Sequence, residues 1–357
     1  MKPMLKYMLA TVSLTAGVLL SGCNVHEWPE LEYGEVPFVL NLDFDTALPL
    51  YRTVTYTRGE GISRVSPADC DIRYIVSVYR AGETRSTRSA DLRYVFTRPY
   101  SEDLDYTVTI ALDEGDWEIY AWADYVDAGS SSDKYYDTSD FGNIVYSDKD
   151  NYGGSNDCND AFRGSTSVTV IHPDRFLENE TLPSYEATVP MMRPLGRFEF
   201  IATDIDAFLN RVAAVRSQRA ANTSGAADTR SIDVSEFRAV FRYNAFMPST
   251  FNIFTDLPSD SWTGMWFDSG MALRNEDEML LGFDYVLAND SDGTVMNLDV
   301  EIYDADGTLL SVTRGVEVPI VRSKLTIVKG EFLTSTGSGG VTVNPEFEGP
   351  DYNIEIE

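Results

Sequence analysis

The chain has 357 residues, with 28 basic and 57 acidic side chains and a formal net charge of −29 at pH 7. This excess of negative charge repels nucleic acid and anionic lipid surfaces, so neither is expected as a partner. The length fits two domains better than one, because single hydrophobic cores stop growing beyond roughly 250 to 300 residues.

The chain begins with a leader that ends at a cysteine. Lys2 and Lys6 supply a positive start, and the uncharged run that follows is too short to remain as a membrane span. Residues 20–23, Leu-Ser-Gly-Cys, resemble the lipobox of bacterial lipoproteins. The resemblance implies a signal peptide over 1–22 and acylation of Cys23, with an ordinary secretory signal as the alternative.

Residues 23–36 mix proline, glycine and acidic side chains without a period, and are predicted to be a tether. From residue 37 onward apolar and polar side chains alternate, which is typical of half-buried strands. Strands are predicted at 38–44, 72–79, 106–110, 117–125, 167–171 and 186–190. Residues 106–125 are predicted to form a hairpin through a turn at 112–116.

A second β-rich region is predicted over 193–333, after an exposed corner at Arg193 and Pro194. It contains one helix, with Asp204 or Asp206 as the N-cap. The apolar face of this helix consists of Ile205, Phe208, Leu209, Val212 and Val215. Further strands are predicted at 198–202, 238–243, 278–288, 295–303, 309–313 and 325–332.

Residues 334–357 are predicted to be a glycine-rich joint and a strand-like tail, which either completes its own sheet or reaches a partner. Taken together, short strands, tight turns and a single helix predict an all-β fold. It consists of two antiparallel β-sandwiches in tandem, over 37–192 and 193–333.

No catalytic motif is present, and neither a nucleophile elbow, a phosphate-binding loop, a dinucleotide fingerprint nor a zinc-protease motif occurs. The histidines are His26 and His172, and no Cys-x-x-Cys pair exists, so no zinc or copper cluster is expected. We therefore expect no enzyme, no catalytic residue, no metal and no cofactor. Cys70 and Cys158 could pair in an oxidising compartment, but two cysteines are not a disulfide framework, and both states stay open.

An oxygen-rich loop and an aromatic cluster are the remaining candidate sites. The loop contains Asp148, Asp150, Asn151, Asn156, Asp157 and Asp160. It fails the EF-hand spacing, so a solvated loop is expected rather than a calcium site. Trp262, Trp266 and Phe267 surround Gly264, and they form either a stacking platform for a glycan or part of the core. The two tryptophans, four residues apart, are predicted to share one face of a strand.

Three segments resemble fimbrillin-like surface lipoproteins of Bacteroidales. They are residues 243–256, which begin Tyr-Asn-Ala-Phe-Met-Pro, residues 112–125, which end Ala-Trp-Ala-Asp-Tyr, and residues 192–204. The lipobox and Asn-Pro-Glu-Phe at 344–347 extend the similarity over nearly the whole chain. The resemblance implies transthyretin-like sandwiches and an outer-membrane lipoprotein at the cell surface.

Two functions are therefore expected. The first is a lipid-anchored fimbrial anchor, accessory subunit or adhesin that contacts fimbrial or surface protein subunits through the edges of its sheets. An anchor fits better than a stalk subunit, because no basic cleavage site is clear. The alternative is a surface glycan-binding lipoprotein that uses the aromatic cluster near Trp262.

Overall fold

The computed structural model describes residues 34–45, 62–82, 89–177, 181–222, 232–289, 293–335 and 351–355. These ranges contain β-strands in five sheets and one α-helix in the second half of the chain. The prediction of an all-β fold with a single helix is confirmed. The predicted signal peptide, Cys23, most of the tether and residues 336–350 lie outside the described residues.

Two sheets share the first hydrophobic core. The three-stranded sheet has the order β4–β1–β9, with β1 at Val36–Phe44, β4 at Tyr106–Leu112 and β9 at Glu186–Met191. The four-stranded sheet has the order β3–β2–β5–β8, with β2 at Cys70–Arg80, β3 at Leu92–Pro99, β5 at Gly115–Asp127 and β8 at Ala161–Val170. Every second residue of β1 is buried, since alternate side chains of a strand point to opposite faces.

The predicted hairpin over residues 106–125 is wrong, although both of its strands exist. β4 pairs with β1, whereas β5 pairs with β2 and β8 in the other sheet. Gly115, with a φ of 146°, stands where the chain passes from one sheet to the other. The turn therefore connects the two layers of the sandwich instead of two neighbouring strands.

Two more sheets belong to the second half of the chain. The five-stranded sheet has the order β15–β16–β10–β19–β20, with β10 at Leu195–Ala202, β15 at Ala272–Leu273, β16 at Met279–Leu287, β19 at Leu325–Gly330 and β20 at Asp351–Glu355. The four-stranded sheet has the order β14–β11–β17–β18, with β11 at Arg238–Tyr243, β14 at Trp266–Gly270, β17 at Thr294–Tyr303 and β18 at Leu309–Ile320. The tail strand β20 pairs with β19 of its own chain.

Three strand pairs are parallel within this mostly antiparallel architecture. β9 runs parallel to β1, and β19 runs parallel to both β10 and β20. Parallel neighbours need long connections, and the sequence pattern of the individual strands carries no sign of their direction.

A fifth sheet joins the two halves of the chain. Its order is β13–β12–β7–β6, with β6 at Tyr136–Asp137, β7 at Ile144–Tyr146, β12 at Met247–Asn252 and β13 at Leu257–Trp262. β12 pairs with β7 through Thr250 opposite Val145 and Phe251 opposite Ile144. Strands from both sides of residue 193 therefore share one sheet, while the division of the chain into domains at that residue stays a prediction.

The helix α1 spans Ile205–Asn222. Asp204 stands at its N-cap position, where its carbonyl oxygen accepts a hydrogen bond from the N–H of Phe208 at 3.0 Å. Its carboxylate does not cap the helix but accepts hydrogen bonds from Leu333 and Thr334. Ile205 and Phe208 are buried as predicted, whereas the side chain of Val215 is 43% exposed.

Buried ion pairs connect the loop before β8 to the segment that opens the second half. Arg193 contacts Asp160 at 2.9 Å, and Arg197 contacts Asp157 at 2.8 Å and Glu199 at 2.9 Å. All five side chains are buried. The exposed corner predicted at Arg193 and the fully solvated loop predicted around residue 157 are therefore wrong, because these opposite charges pair with each other away from water.

Candidate interaction surface

Strand β3 forms an open edge of the first sandwich. It pairs along its whole length with β2, from Val78 opposite Leu92 to Asp71 opposite Pro99. No strand in the described part of the chain pairs with its other side. An edge of this kind presents unpaired backbone N–H and C=O groups, which can template the addition of another strand.

Side chains, and not a backbone ladder, connect β3 to the facing edge strand β4. The Tyr94 hydroxyl donates a hydrogen bond to the carbonyl oxygen of Ala111 at 2.8 Å. Phe96 contacts Tyr106 with ring centroids 6.4 Å apart, and Tyr106 stacks on Tyr74 at 4.7 Å. We call this group the aromatic seam, and it consists of Tyr74, Tyr94, Phe96 and Tyr106. The seam packs one face of β3 against the other sheet, and no described strand pairs with the outer edge of β3.

The opposite side of the same sandwich is closed by backbone hydrogen bonds. The N–H of Arg163 donates to the carbonyl oxygen of Met192 at 2.8 Å, and the N–H of Met192 donates back at 2.9 Å. This bridge ties β8 to the end of β9. In the described part of the chain the two sides of the sandwich are therefore unequal, because backbone bonds connect the sheets on the β8 side and only side chains connect them on the β3 side.

Two arginines of β3 form no ion pair with any described carboxylate. Arg93 donates to the carbonyl oxygen of Thr138 at 2.9 Å, and burial lowers the pKa of its guanidinium. Arg98 donates to the carbonyl oxygen of Asp103 at 2.6 Å. Both cations are held by neutral acceptors, so an acidic partner can still pair with them.

Exposed and partly buried residues alternate along β3, so one face of the strand is exposed and the other packs against the sandwich. Val95 is 44% exposed, although it belongs to a residue type that is usually buried. β3 is not among the strands predicted from the sequence. The signal was nevertheless present, because Leu92, Tyr94 and Phe96 alternate with Arg93 and Val95.

The predicted aromatic cluster is divided between two sheets. Trp262 ends β13 and Trp266 begins β14, so the expectation that they share one strand is wrong. Gly264, with a φ of 71°, turns the chain between them. Trp262 packs against the core, Phe267 is buried in a stack on Phe241 at 4.8 Å, and Trp266 is 50% exposed.

A second aromatic side chain lies at the same end of that sheet as Trp266. Trp266 pairs with Arg242 near the end of β11, and Phe246 follows this strand by three residues. Phe246 is 67% exposed. The exposed aromatic pair at this end is therefore Trp266 and Phe246, and not the predicted trio.

A groove of about 380 Å³ lies beside α1. Its apolar lining includes Phe208, Val212, Val215 and Leu310, and its rim carries Arg211, Glu236 and Asp304. The half-exposed Val215 of the helix faces this groove.

The described ranges contain neither a metal-binding cluster nor a membrane-spanning helix. No group of three or more histidine, cysteine, aspartate or glutamate side chains there is placed to hold a metal ion. Asp148 instead accepts hydrogen bonds from the N–H groups of Asp150 and Asn151. Those ranges also hold no helix with the length and apolarity of a membrane span.

The described part of the chain is therefore an all-β protein in which no described strand pairs with the outer side of β3. The chain belongs to the Family of unknown function (DUF6562), whose model matches residues 34–357. No curated protein matches the chain.

Several solved structures resemble the fold. A candidate adhesin of Bacteroides thetaiotaomicron is 10% identical, with a TM-score of 0.40 over 80% of this chain and 82% of the other. The fimbrial anchor protein Mfa2 of Porphyromonas gingivalis is 9% identical, with a TM-score of 0.36 over 78% and 82%. The tip fimbrial protein Mfa3 of the same organism is 11% identical, with a TM-score of 0.36 over 80% and 81%. These neighbours are of the kind to which the sequence resemblance pointed.

Proposed function

We propose that the protein is a lipid-anchored structural subunit of the cell surface, a fimbrial anchor, accessory subunit or adhesin. It binds its partner protein when an extended segment of the partner adds to the edge of β3. The single observation that carries this proposal is the outer side of β3, which no described strand pairs.

Strand addition suits this edge for two reasons. Backbone hydrogen bonds supply affinity in this mode, while alternate side chains supply specificity. Val95 offers an apolar contact on one face of β3, and Arg93 and Arg98 offer cations without described carboxylate partners. Arg93 and Val95 lie on the exposed face of β3, whereas Arg98 lies on the other face. A partner strand that carries an acidic and an apolar side chain two residues apart, on one face, therefore fits this edge best.

A crosslinking experiment tests the edge on intact cells. A photoactivatable residue replaces Val95 in one variant and the equally apolar, exposed Val295 of β17 in the control. A strand added to β3 would lie about 4.8 Å away, so we expect a discrete crosslinked product from position 95 alone. Equal crosslinking from position 295 would contradict strand addition at β3.

A charge-matched pair of variants tests the same edge without a probe. Lysines on an edge strand oppose the addition of another strand. Val95→Lys with Thr97→Lys should abolish the crosslink or co-purification, while Val295→Lys with Thr308→Lys should retain it. All four positions are exposed, so both variants should fold. A partner that stays bound to the β3 variant would overturn the proposal.

Membrane attachment rests on the leader and on Cys23. A Cys23→Ala protein should leave the membrane fraction as a soluble or unprocessed form, because the thiol is the proposed attachment point of the lipid. Fractionation followed by immunoblotting measures this. A processed Cys23→Ala protein that remains in the membrane fraction would refute the lipoprotein assignment.

The exposed pair Trp266 and Phe246 supports the alternative, a glycan-binding surface protein. Exposed aromatic rings stack on the apolar faces of sugars. If this alternative holds, Trp266→Ala should abolish binding to immobilised polysaccharides and Trp262→Ala, at the core, should not. A wild-type protein that binds no polysaccharide would exclude the alternative.

A further inference from the structure

Cys70 and Cys158 lie side by side in a buried cluster that the proposed function does not use. Their sulfur atoms are 2.9 Å apart, although 88 positions separate them in the chain. Cys70 is 5% exposed and Cys158 is fully buried. The surrounding side chains are those of Val65, Tyr100, Tyr125 and Tyr135.

The backbone fixes both cysteines in place. Cys70 is the first residue of β2 and pairs with Asp127 of β5. Cys158 is the central residue of a 3-10 helix at Asp157–Asn159, and its N–H donates to the Asn156 side chain at 3.0 Å. A disulfide has a sulfur separation of about 2.05 Å. A shift of less than about one ångström would therefore bring the two sulfurs to bonding distance.

We propose that Cys70 and Cys158 form a disulfide bond in the exported protein. This proposal rests on the proposed function in one respect, since it needs the oxidising compartment that a surface protein passes through. The oxidant is a disulfide of a thiol oxidoreductase or of a small molecule. Its disulfide bond breaks, the bond between the two cysteine sulfurs forms, and both protons leave on the two oxidant thiols that are released.

Folding shifts the pKa values of the two thiols in opposite directions. The hydrogen bond with Cys158 lowers the pKa of Cys70, while the same hydrogen bond and burial raise the pKa of Cys158. Because both sulfurs are buried in the folded chain, the exchange with the oxidant takes place before the cluster closes, when these shifts are absent and either thiol can attack first.

The bond would hold the connection between the two halves of the chain. It links the start of β2 to the loop that carries Asp157 and Asp160. Those two carboxylates bind Arg197 and Arg193, which open the second half. A covalent link at Cys158 would thus keep the buried ion pairs aligned when the first sandwich fluctuates.

Thiol trapping tests the bond on the full chain. The protein is taken from the cell envelope, denatured without reductant in the presence of an alkylating maleimide, and analysed by mass spectrometry. We expect a mass about 2 Da below the dithiol form, no maleimide on either cysteine, and a crosslinked peptide pair that reduction separates. Alkylation of both cysteines before reduction would overturn the proposal.

A refolding arm separates the geometry from the compartment. The purified chain is reduced, unfolded, and refolded in a buffer of oxidised and reduced glutathione. If the disulfide forms in this buffer but the envelope protein carries free thiols, the proposal is overturned for the protein in the cell, and the reason is that its compartment does not oxidise the two cysteines. Free thiols in both experiments would show that the geometry of the two cysteines does not allow the bond. The fractionation test at Cys23 decides membrane attachment independently of this result.

A thermal measurement tests the role of the bond in stability. Native protein should resist reductant until it unfolds, and reduction should lower the melting temperature by on the order of 5 to 10 °C. The melting temperature of the Cys70→Ala/Cys158→Ala variant should equal that of the reduced protein and should not change when reductant is added. If this variant fails to fold, the trapping of wild-type protein still decides. A present bond whose reduction leaves the melting temperature unchanged would refute its holding role.

Discussion

Asp284 is expected to make the folded protein less stable as the pH rises from 4 to 7. Its carboxylate is fully buried on β16 and accepts hydrogen bonds from the hydroxyls of Tyr243 at 2.6 Å and Tyr152 at 2.8 Å. Burial raises the pKa of Asp284 to about 6 in spite of these hydrogen bonds. In the unfolded chain the pKa is about 3.9.

The sign of the effect follows from these two pKa values. Below about pH 3.9 the carboxyl is protonated in both states. Between about 3.9 and 6 the folded state holds a proton that the unfolded state has lost, so stability falls with rising pH. A difference of about two pKa units corresponds to about 3 kcal/mol. The loss is complete above pH 6, where the folded protein carries a buried charge.

The test compares wild-type protein with Asp284→Asn, which does not titrate. Urea denaturation at pH 4, 5, 6, 7 and 8 gives the free energy of unfolding of each, and their difference cancels the other carboxylates. The wild-type advantage should shrink by roughly 2 to 2.5 kcal/mol between pH 4 and 7, because the unfolded carboxyl is already about half ionised at pH 4. Asp148→Asn is the control of opposite sign, because hydrogen bonds with Asn151 lower the pKa of exposed Asp148. A difference that is constant or grows with pH would refute the reasoning.

Two further substitutions test packing and pairing by urea denaturation. In Gly282→Ala the new Cβ would lie 2.3 Å from the Phe241 ring, so a loss of roughly 1 to 3 kcal/mol is expected. Gly270→Ala meets nothing within 4 Å and should change stability by less than about 0.5 kcal/mol, and equal losses would argue against overpacking. Asp157→Ala removes a buried partner of an arginine and should cost about 3 to 5 kcal/mol, whereas Asp268→Ala breaks an exposed pair and should cost below about 1 kcal/mol. Similar costs for these two would show that burial does not set the value of the pairs.

The positions of many strands could be predicted because the signal is local. The alternation at Arg238–Tyr243 coincides with β11 residue for residue. Residues 304–307, Asp-Ala-Asp-Gly, form the tight turn that this composition favours, since the Asp304 side chain accepts from the N–H groups of Asp306 and Thr308 and Gly307 adopts a φ of 79°. Side-chain period and turn chemistry need only neighbouring residues, and both are present in the sequence.

The pairing of strands could not be predicted in the same way. β4 and β5 follow each other through a short turn, yet burial on both faces of β5 draws it into the centre of another sheet. The partner of a strand depends on residues far away in the chain, and alternation carries no information about them. For the same reason the charges of Asp157 and Asp160 suggested solvent, while their arginine partners lie beyond residue 190.

The candidate interaction surface was only partly accessible from the sequence. Trp266 was identified and is exposed, but the assumption of one continuous strand placed it beside Trp262 and Phe267. Gly264 was the available sign of a break. The edge position of β3 had no local sign, because an edge is defined by the strands that are absent beside it.

The sheet that joins β7 and β12 imposes an order on folding during synthesis. About a hundred residues separate Val145 from its partner Thr250, so the earlier segment leaves the ribosome long before its partner exists. Until β12 is synthesised, the side chains of Tyr136 and Ile144, which are buried in the folded protein, cannot be shielded from water by that strand. A chain truncated after residue 192 should consequently bind a hydrophobic dye that the full chain does not bind. The first half of this protein thus completes its fold only when the second half is present.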